Sequence, residues 1–251
     1  MSRLSRSLNV PLLCYVTDGQ NLASVGTSEA CQPFDARKTL REKIAAASAA
    51  GVDWIQIREK DLSGKECHSL ACEAVRLAAS PLPGAARKAS ALARTEVVRG
   101  RVSTRILVND RLDVAVAAQA AGVHLGEKSL PPEEARRLVE SLRSAEDFLI
   151  GVSCHSLEAA RAAERGGADY LFYGPVFVTP SKAAYGAPQG LRRLAEVCRA
   201  VTLPLLAIGG VTSENTADCL SAGASGIAAI RLFQHAPDIA AVVRELRKLC
   251  G

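Results

Sequence analysis

Three cationic side chains and one carboxylate follow apolar runs of the sequence and could together bind a polyphosphate. Arg58 and Lys60 come after the run WIQI, Asp110 comes after ILVN, and Lys182 lies in the long loop GPVFVTPSKAAYGAPQG. Arginine offers phosphate oxygens a planar fork, and lysine offers a compact charge. A carboxylate among them would repel phosphate unless Mg²⁺ bridged the two, which indicates a metal–pyrophosphate site. The alternative is that Arg58–Glu59 or Lys60–Asp61 are ordinary surface ion pairs and that Asp110 caps the third helix.

These side chains must be positioned by an alternating series of strands and helices. Short apolar runs predict strands at Leu12–Thr17, Trp54–Arg58, Arg105–Asn109, Gly122–Leu125, Leu149–Ser153, Tyr170–Gly174, Leu205–Gly209 and Gly226–Arg231. Stretches rich in Ala, Leu, Glu and Arg predict helices at Thr39–Ala50, Gly64–Ala79, Leu112–Ala121, Pro132–Ser144, Ser156–Arg165, Gly190–Ala200, Ser213–Ala222 and Ile239–Leu249. Eight such units in one chain predict a single-domain (β/α)₈ TIM barrel over residues 1–251.

A doubly wound open sheet is the alternative fold. It normally carries a glycine fingerprint after its first strand, and TDGQNLAS does not match one. Small-residue turns before several strands, such as AAGVDWI, QAAGVHL, ERGGADYL and SAGASGI, also fit the barrel. Glycine accepts the left-handed conformation just past a helix end, so we expect each of these glycines to mark a helix-to-strand turn.

Two extra segments, at about 19–34 and 80–104, exceed a minimal barrel. The second carries most of the net charge of +5 and could be a surface excursion or an interaction surface. The rest of the chain is nearly balanced and only 4% of the residues are aromatic, so no nucleic-acid partner is expected. No apolar run reaches the roughly 18 residues of a membrane span, and no signal-peptide pattern opens the sequence. A cytoplasmic location is therefore expected, and a homo-oligomer is compatible with the sequence.

The eight cysteines are scattered and form no CxxC pair, which predicts reduced thiols and no zinc site. Cys154 and His155 are adjacent on a predicted strand. Neighbouring side chains on a strand point to opposite faces, so this pair is a poor candidate for a catalytic dyad.

A second anion site is predicted where the seventh and eighth strands end. Chemistry in a (β/α)₈ barrel is built at the carboxyl ends of the strands, and a phosphate commonly binds after the last two. Gly209 and Gly210 precede a helix, so their backbone N–H groups could approach an anion. Arg231 at the end of the eighth strand could add an ion pair, or could instead form a salt bridge that closes the barrel.

The strand-end residues, taken in order, resemble the superfamily of thiamine phosphate synthase and the thiazole tautomerase. The matching stretches are YVTD, IQIREKD, ILVNDRLDVA, GVHLG, IGVSCHSLEAA, GADYLFYGPVFVTPSK and AIGGVTSENTADCLSAGASGIA. The resemblance implies a transferase that joins 4-amino-2-methyl-5-pyrimidinylmethyl pyrophosphate to a thiazole phosphate, giving thiamine phosphate and pyrophosphate. It covers most of the chain except the two extra segments.

By this resemblance each candidate residue acquires a role. Gln56 and Ser153 would contact the pyrimidine; Arg58, Lys60, Asn109 and Lys182 would hold the pyrophosphate; and Asp110 would bind Mg²⁺. The thiazole phosphate would be held by Thr179, Ser181 and the backbone of Gly209 and Gly210. His155 lies at the motif where tautomerase relatives use a histidine to move a proton, and synthases also tend to carry one there.

Two departures from the family pattern keep alternatives open. A second acidic metal ligand is usual shortly after GVHLG, but that position holds Ser129, with Glu127 as a candidate substitute. Arg231 stands where the family often has a small residue. The alternatives are a thiazole phosphate tautomerase and a relative that binds a phosphate ligand without catalysis.

Overall fold

Eight parallel strands close into a barrel in the order of the chain. The computed structural model describes residues 11–22, 35–79, 103–142, 147–179 and 187–249. Each strand pairs with its sequence neighbours, and β1 pairs with β8 to close the ring. The strands are Leu12–Val16 (β1), Trp54–Ile57 (β2), Arg105–Asn109 (β3), Gly122–Leu125 (β4), Leu149–Cys154 (β5), Tyr170–Tyr173 (β6), Leu205–Ile208 (β7) and Gly226–Ala229 (β8). The predicted (β/α)₈ barrel is confirmed.

The helices follow the strands on the outside of the ring. They are Ala36–Ala50 (α1), Gly64–Ala79 (α2), Leu112–Ala117 (α3), Pro132–Leu142 (α4), Leu157–Arg165 (α5), Gly190–Ala200 (α6), Ser213–Ser221 (α7), Arg231–Gln234 (α8) and Ile239–Lys248 (α9). None of the helices in the described ranges combines the length and the hydropathy that a membrane crossing needs. The predicted extra segments lie almost wholly outside the described residues.

Strand parity divides the apolar side chains into two cores, because successive residues of a strand point to opposite faces. In β2, Ile55 and Ile57 pack outward against the helices, whereas Trp54 points into the barrel. The inner core holds Cys14, Trp54, Leu107, Tyr170 and Leu206, among others. Tyr170 fills its centre only because its partner in β5 is Gly151, where an added Cβ would lie 2.0 Å from the tyrosine ring. On β2 to β5 the inward positions nearest the carboxyl ends are polar, and they form part of the site.

The structure corrects several predicted boundaries. The eighth strand ends at Ala229, not Arg231, because the chain turns into α8 and buries Phe233 and Gln234 against the barrel. The third helix ends at Ala117, and Gln119 takes the left-handed conformation with φ of 55°. The expected glycine turn is therefore wrong at Gly122, which is already in β4. It is confirmed at Gly51, Gly167 and Gly223.

Two carboxylates at the amino end of the barrel tie neighbouring strands together. Asp169, just before β6, accepts hydrogen bonds from the Ile150 N–H of β5 at 2.7 Å and from Arg136 Nη2 of α4 at 2.5 Å. Arg136 also donates to the carbonyl of Phe148. The Asp169 and Arg136 side chains are only 8% and 15% exposed. Water therefore hardly solvates either charge, and each side chain neutralises the charge of the other.

The same arrangement recurs on the other side of the ring. Asp53, just before β2, accepts from the Leu13 N–H of β1 and from Arg247 Nη2 of α9, both at 2.7 Å. Arg247 also donates to the carbonyls of Pro11 and Gly51. We call the two arrangements the carboxylate clamps. They fix the starts of β1 and β5, on opposite sides of the ring.

Replacing Asp169 with alanine should lower the free energy of unfolding by about 3 kcal/mol, because Arg136 is left as a buried, unpaired charge. The matched control is Glu134→Ala, which removes the exposed partner of Arg137 on the same helix and should cost about 0–1 kcal/mol. Urea unfolding at pH 7 measures both. Similar losses of unfolding free energy in the two variants would show that the buried clamp stabilises the fold no more than an exposed ion pair does.

Candidate active site

One cavity of about 400 Å³ opens at the carboxyl ends of the strands. This volume is within the range of sites for small organic ligands. The cavity is lined by nine of the residues predicted from the sequence: Gln56, Arg58, Asn109, Ser153, His155, Thr179, Gly209, Gly210 and Arg231. Residues separated by up to 175 positions in the chain are thus brought to one site by the closure of the barrel.

The floor of the cavity is built from the last inward positions of four adjacent strands. These positions hold Gln56 in β2, Asn109 in β3, His124 in β4 and Ser153 in β5. Gln56 Nε2 donates to Asn109 Oδ1 at 2.8 Å, and Ser153 Oγ lies 2.8 Å from His124 Nε2. The apolar inner core therefore gives way to polar groups where the barrel meets the cavity.

His124 is a buried member of this floor and also contacts the inner core. Its Nδ1 lies 3.1 Å from the Tyr170 hydroxyl, and its ring lies against Phe172 with the centroids 4.1 Å apart. Burial removes water from the charged imidazolium and lowers the pKa of His124 to about 3. A neutral imidazole therefore holds the Ser153 hydroxyl at ordinary pH.

Arg58 faces a carboxylate on the neighbouring loop. Its Nη1 lies 3.8 Å from Asp18 Oδ2. The adjacent Glu59 is not its partner, because Glu59 accepts from the Thr17 hydroxyl at 2.5 Å and from the Gly19 N–H at 2.8 Å. Burial raises the pKa of Glu59. The alternative that Arg58 and Glu59 form an ordinary surface ion pair is therefore wrong. Glu59 instead fixes the loop that follows β1.

Asp110 is exposed at the end of β3 and is not a helix cap. Its Oδ1 accepts from the Gly126 N–H at 3.0 Å and from the Ser129 hydroxyl, and its Oδ2 accepts from Asn109 Nδ2 at 2.7 Å. The helix after it begins with Arg111 at the N-cap. Within the described residues no three His, Cys, Asp or Glu side chains converge into a metal-binding group.

The predicted second anion site lies in the same cavity. Gly209 and Gly210 have φ of 91° and 69°, and an added Cβ would lie 2.5 Å from Pro175 and 2.6 Å from the Val178 carbonyl. Only glycine fits there, which brings the backbone itself to the cavity wall. Arg231, in the first turn of α8, donates from Nη2 to Thr179 Oγ1 at 3.5 Å.

Cys154 and His155 diverge, as the strand geometry predicts. Cys154 is buried in the outer core, and burial raises the pKa of its thiol to about 12. His155 lines the cavity, and its Nδ1–H donates to the carbonyl of Gly174. A cysteine–histidine dyad is thereby excluded. The described cysteines are all free.

Four predicted residues lie in the described part of the chain without lining the cavity. They are Lys60 and Glu127, both exposed on turns, and the hydrogen-bonded pair of Asp110 and Ser129. Lys182 and Ser181 lie outside the described residues.

Sequence reasoning gave no role to several residues that line the cavity: Asn21, His124, Phe172 and His235. Strand parity was the available signal for His124 and Phe172, since both share the inward face with Ser153. Asn21 ends the short 3₁₀ helix Gly19–Asn21 and His235 is the C-cap of α8, and the sequence carries no such signal for either position.

The fold and site define a (β/α)₈ barrel with one cavity at the carboxyl ends of its strands, lined by Arg58, Arg231 and the Gly209–Gly210 backbone. The family model for thiamine monophosphate synthase matches residues 27–233. The chain belongs to this family.

Two curated relatives and one solved structure are similar over most of their length. A putative thiamine-phosphate synthase of Geobacter sulfurreducens is 40% identical over 78% of this chain and 79% of its own. The thiamine-phosphate synthase of Methanoculleus marisnigri is 43% identical over 80% and 83%. The solved thiamine phosphate pyrophosphorylase of Pyrococcus furiosus has a TM-score of 0.70 and 28% identity, covering 97% of this chain and 98% of that one.

His124 should make the protein less stable in acid. Folding lowers the pKa of His124 from about 6.5 to about 3. Between these two pH values the unfolded chain binds a proton at this histidine and the folded protein does not, so the free energy of unfolding falls as the pH drops from about 6.5 toward 3. Between pH 7 and pH 5 the loss should be about 2 kcal/mol larger in the wild type than in His124→Gln. Urea unfolding at the two pH values measures it. The exposed His235→Gln is the control and should follow the wild type.

Proposed function

We propose that the protein is a thiamine phosphate synthase, a transferase that couples 4-amino-2-methyl-5-pyrimidinylmethyl pyrophosphate to a thiazole phosphate with release of pyrophosphate. Membership of the family and the similarity to curated synthases support this proposal. We further propose that it acts in the cytoplasm, which the free thiols of its described cysteines favour.

The observation that supports the proposal is that one cavity is lined at two separate places by groups suited to bind an anion. Arg58 and Asn109 line the cavity at the ends of β2 and β3, whereas Arg231 and the glycine pair line it after β8 and β7. A tautomerase acts on one phosphate ester and needs one such set. A coupling enzyme must hold a pyrophosphate and a phosphate at once, with the two rings between them.

For this reaction the protein has to stabilise the charge on the departing pyrophosphate and align the two rings. The bond between the pyrimidinyl methylene and the pyrophosphate oxygen breaks, and the thiazole nitrogen then supplies the electron pair of the new C–N bond. Arg58, with Lys60, Lys182 and Asn109, would stabilise the negative charge that develops on the departing pyrophosphate. Gln56 and Ser153 would orient the pyrimidine, and Thr179, Ser181 and the glycine backbone would hold the thiazole phosphate. His155 needs no proton-transfer role in this reaction.

Asp110 fits the requirements of a Mg²⁺ ligand. It is an exposed carboxylate at the edge of the cavity, and it makes no ion pair within the described ranges. Mg²⁺ accepts one or two carboxylates and completes its shell with waters and substrate phosphates. Bound there, the ion would neutralise the leaving pyrophosphate. The position where the family usually has a second acidic ligand holds Ser129, which donates a hydrogen bond to Asp110. Glu127, two residues earlier, is the candidate for a second carboxylate ligand.

Coupling activity tests the proposal directly. Purified protein supplied with both substrates should form thiamine phosphate and pyrophosphate in equal amounts with Mg²⁺ and none with EDTA. Asp110→Ala should lower kcat/KM at least about 100-fold, because charge on the leaving group loses its counter-ion. Folded protein that binds the thiazole phosphate but forms no product would contradict the synthase. Proton exchange on the thiazole that is lost in His155→Ala would then identify a tautomerase.

The two anion sets should separate kinetically. Arg231→Ser should raise the KM for the thiazole phosphate about tenfold, the value of one charge-assisted contact, and leave the KM for the pyrimidine pyrophosphate nearly unchanged. Arg58→Ala should produce the reverse pattern. Steady-state kinetics with each substrate varied in turn measures both. A rise in both KM values in each variant would show that the two sets do not bind different substrates.

A further inference from the structure

A chain of hydrogen bonds runs in one direction along the cavity floor. Gln56 Nε2 donates to Asn109 Oδ1 at 2.8 Å, and Asn109 Nδ2 donates to Asp110 Oδ2 at 2.7 Å. An ionised carboxylate only accepts hydrogen bonds, so Asn109 must turn its NH₂ group toward Asp110. Its carbonyl oxygen then faces Gln56, which must in turn donate.

The free end of this chain is Gln56 Oε1. Gln56 is 2% exposed and lines the cavity. Within the described residues, Oε1 is the buried side-chain nitrogen or oxygen atom that has no hydrogen-bond partner. Buried polar atoms in native proteins are nearly always paired, so an orphaned acceptor at a cavity wall indicates a donor on the ligand.

We propose that Asp110 and Asn109 are positioning residues that fix Gln56 Oε1 as an acceptor, so that the cavity selects a pyrimidine with an exocyclic amino group over one with an oxo group. A glutamine amide left to itself reads either group, because rotation by 180° exchanges its donor and its acceptor. The chain removes that freedom. The inference deepens the proposed function and rests on it for the choice of a pyrimidine as ligand.

The contacts of Asp110 make the proposal sharply testable. The Gly126 N–H donates to both Oδ1 and Ser129 Oγ, and the Ser129 hydroxyl donates to Oδ1, so these contacts favour an acceptor at this position. In Asp110→Asn we therefore expect the amide oxygen at the Oδ1 position and the new NH₂ group facing Asn109. Asn109 then has to turn over to accept, and Gln56 has to turn over to accept from Asn109. The NH₂ group of Gln56 now faces the cavity, so selectivity inverts toward an oxo group.

The experiment measures binding and needs no turnover. Titration calorimetry on the full chain uses two probes, 4-amino-2-methyl-5-pyrimidinylmethyl phosphate and its 4-oxo counterpart. We expect the wild type to bind the amino probe at least about 100-fold more tightly, since the wrong probe leaves buried groups unpaired. Asp110→Asn should favour the oxo probe. Asn109→Leu replaces the amide with an apolar side chain of similar volume and so interrupts the series of hydrogen bonds. It should reduce the preference for the amino probe to less than about tenfold.

Ser129→Ala is the matched control, because it removes a donor to the other oxygen of the same carboxylate and leaves the chain intact. It should retain the amino preference. Equal binding of the two probes by the wild type, or an undiminished amino preference in Asp110→Asn or Asn109→Leu, overturns the proposal. Inverted selectivity together with a negative coupling assay would overturn the proposed function alone.

Discussion

Closure of the barrel is the constraint on which the rest of the structure depends. A closed ring of parallel strands fixes the register of every strand from both sides, so no strand can slip by one residue without turning its inward face outward. This explains why a dense apolar layer around Trp54 and Tyr170 and a polar layer around Gln56 and Ser153 follow each other on the same inward face. The site therefore continues the inner core along the same inward face, with polar side chains in place of apolar ones.

The carboxylate clamps show how the ring is held at its other end. Asp53, β1 and Arg247 of α9 correspond to Asp169, β5 and Arg136 of α4, and the two sets are related by a shift of four strands. Even the carbonyls that the arginines bind, Pro11 and Phe148, precede equivalent strands. The barrel therefore has an internal twofold repeat in its clamping at the amino end.

The sequence was most informative where one local rule decides the outcome. Alternating apolar runs were sufficient to predict the order of the strands, and the ends of those strands were sufficient to predict Gln56, Asn109 and Ser153. It failed where distant burial overrides local preference, as in the turn into α8, which Phe233 and Gln234 determine by packing against β1. The buried neutral state of His124 and the pairing of Arg58 with Asp18 likewise depend on neighbours far away in the chain, which a single sequence does not reveal.

The carboxylates of the two ends perform one structural task but differ in charge balance. Asp53 and Asp169 accept an N–H from a neighbouring strand, and each is neutralised by an arginine. Asp110 accepts the Gly126 N–H after the next strand in the same manner, yet within the described residues it has no cationic partner. A carboxylate that only stitched strands together would be most stable if it were paired. The uncompensated charge of Asp110 thus favours a role toward a ligand: it leaves room for a cation, and it imposes a direction on the amides beside it.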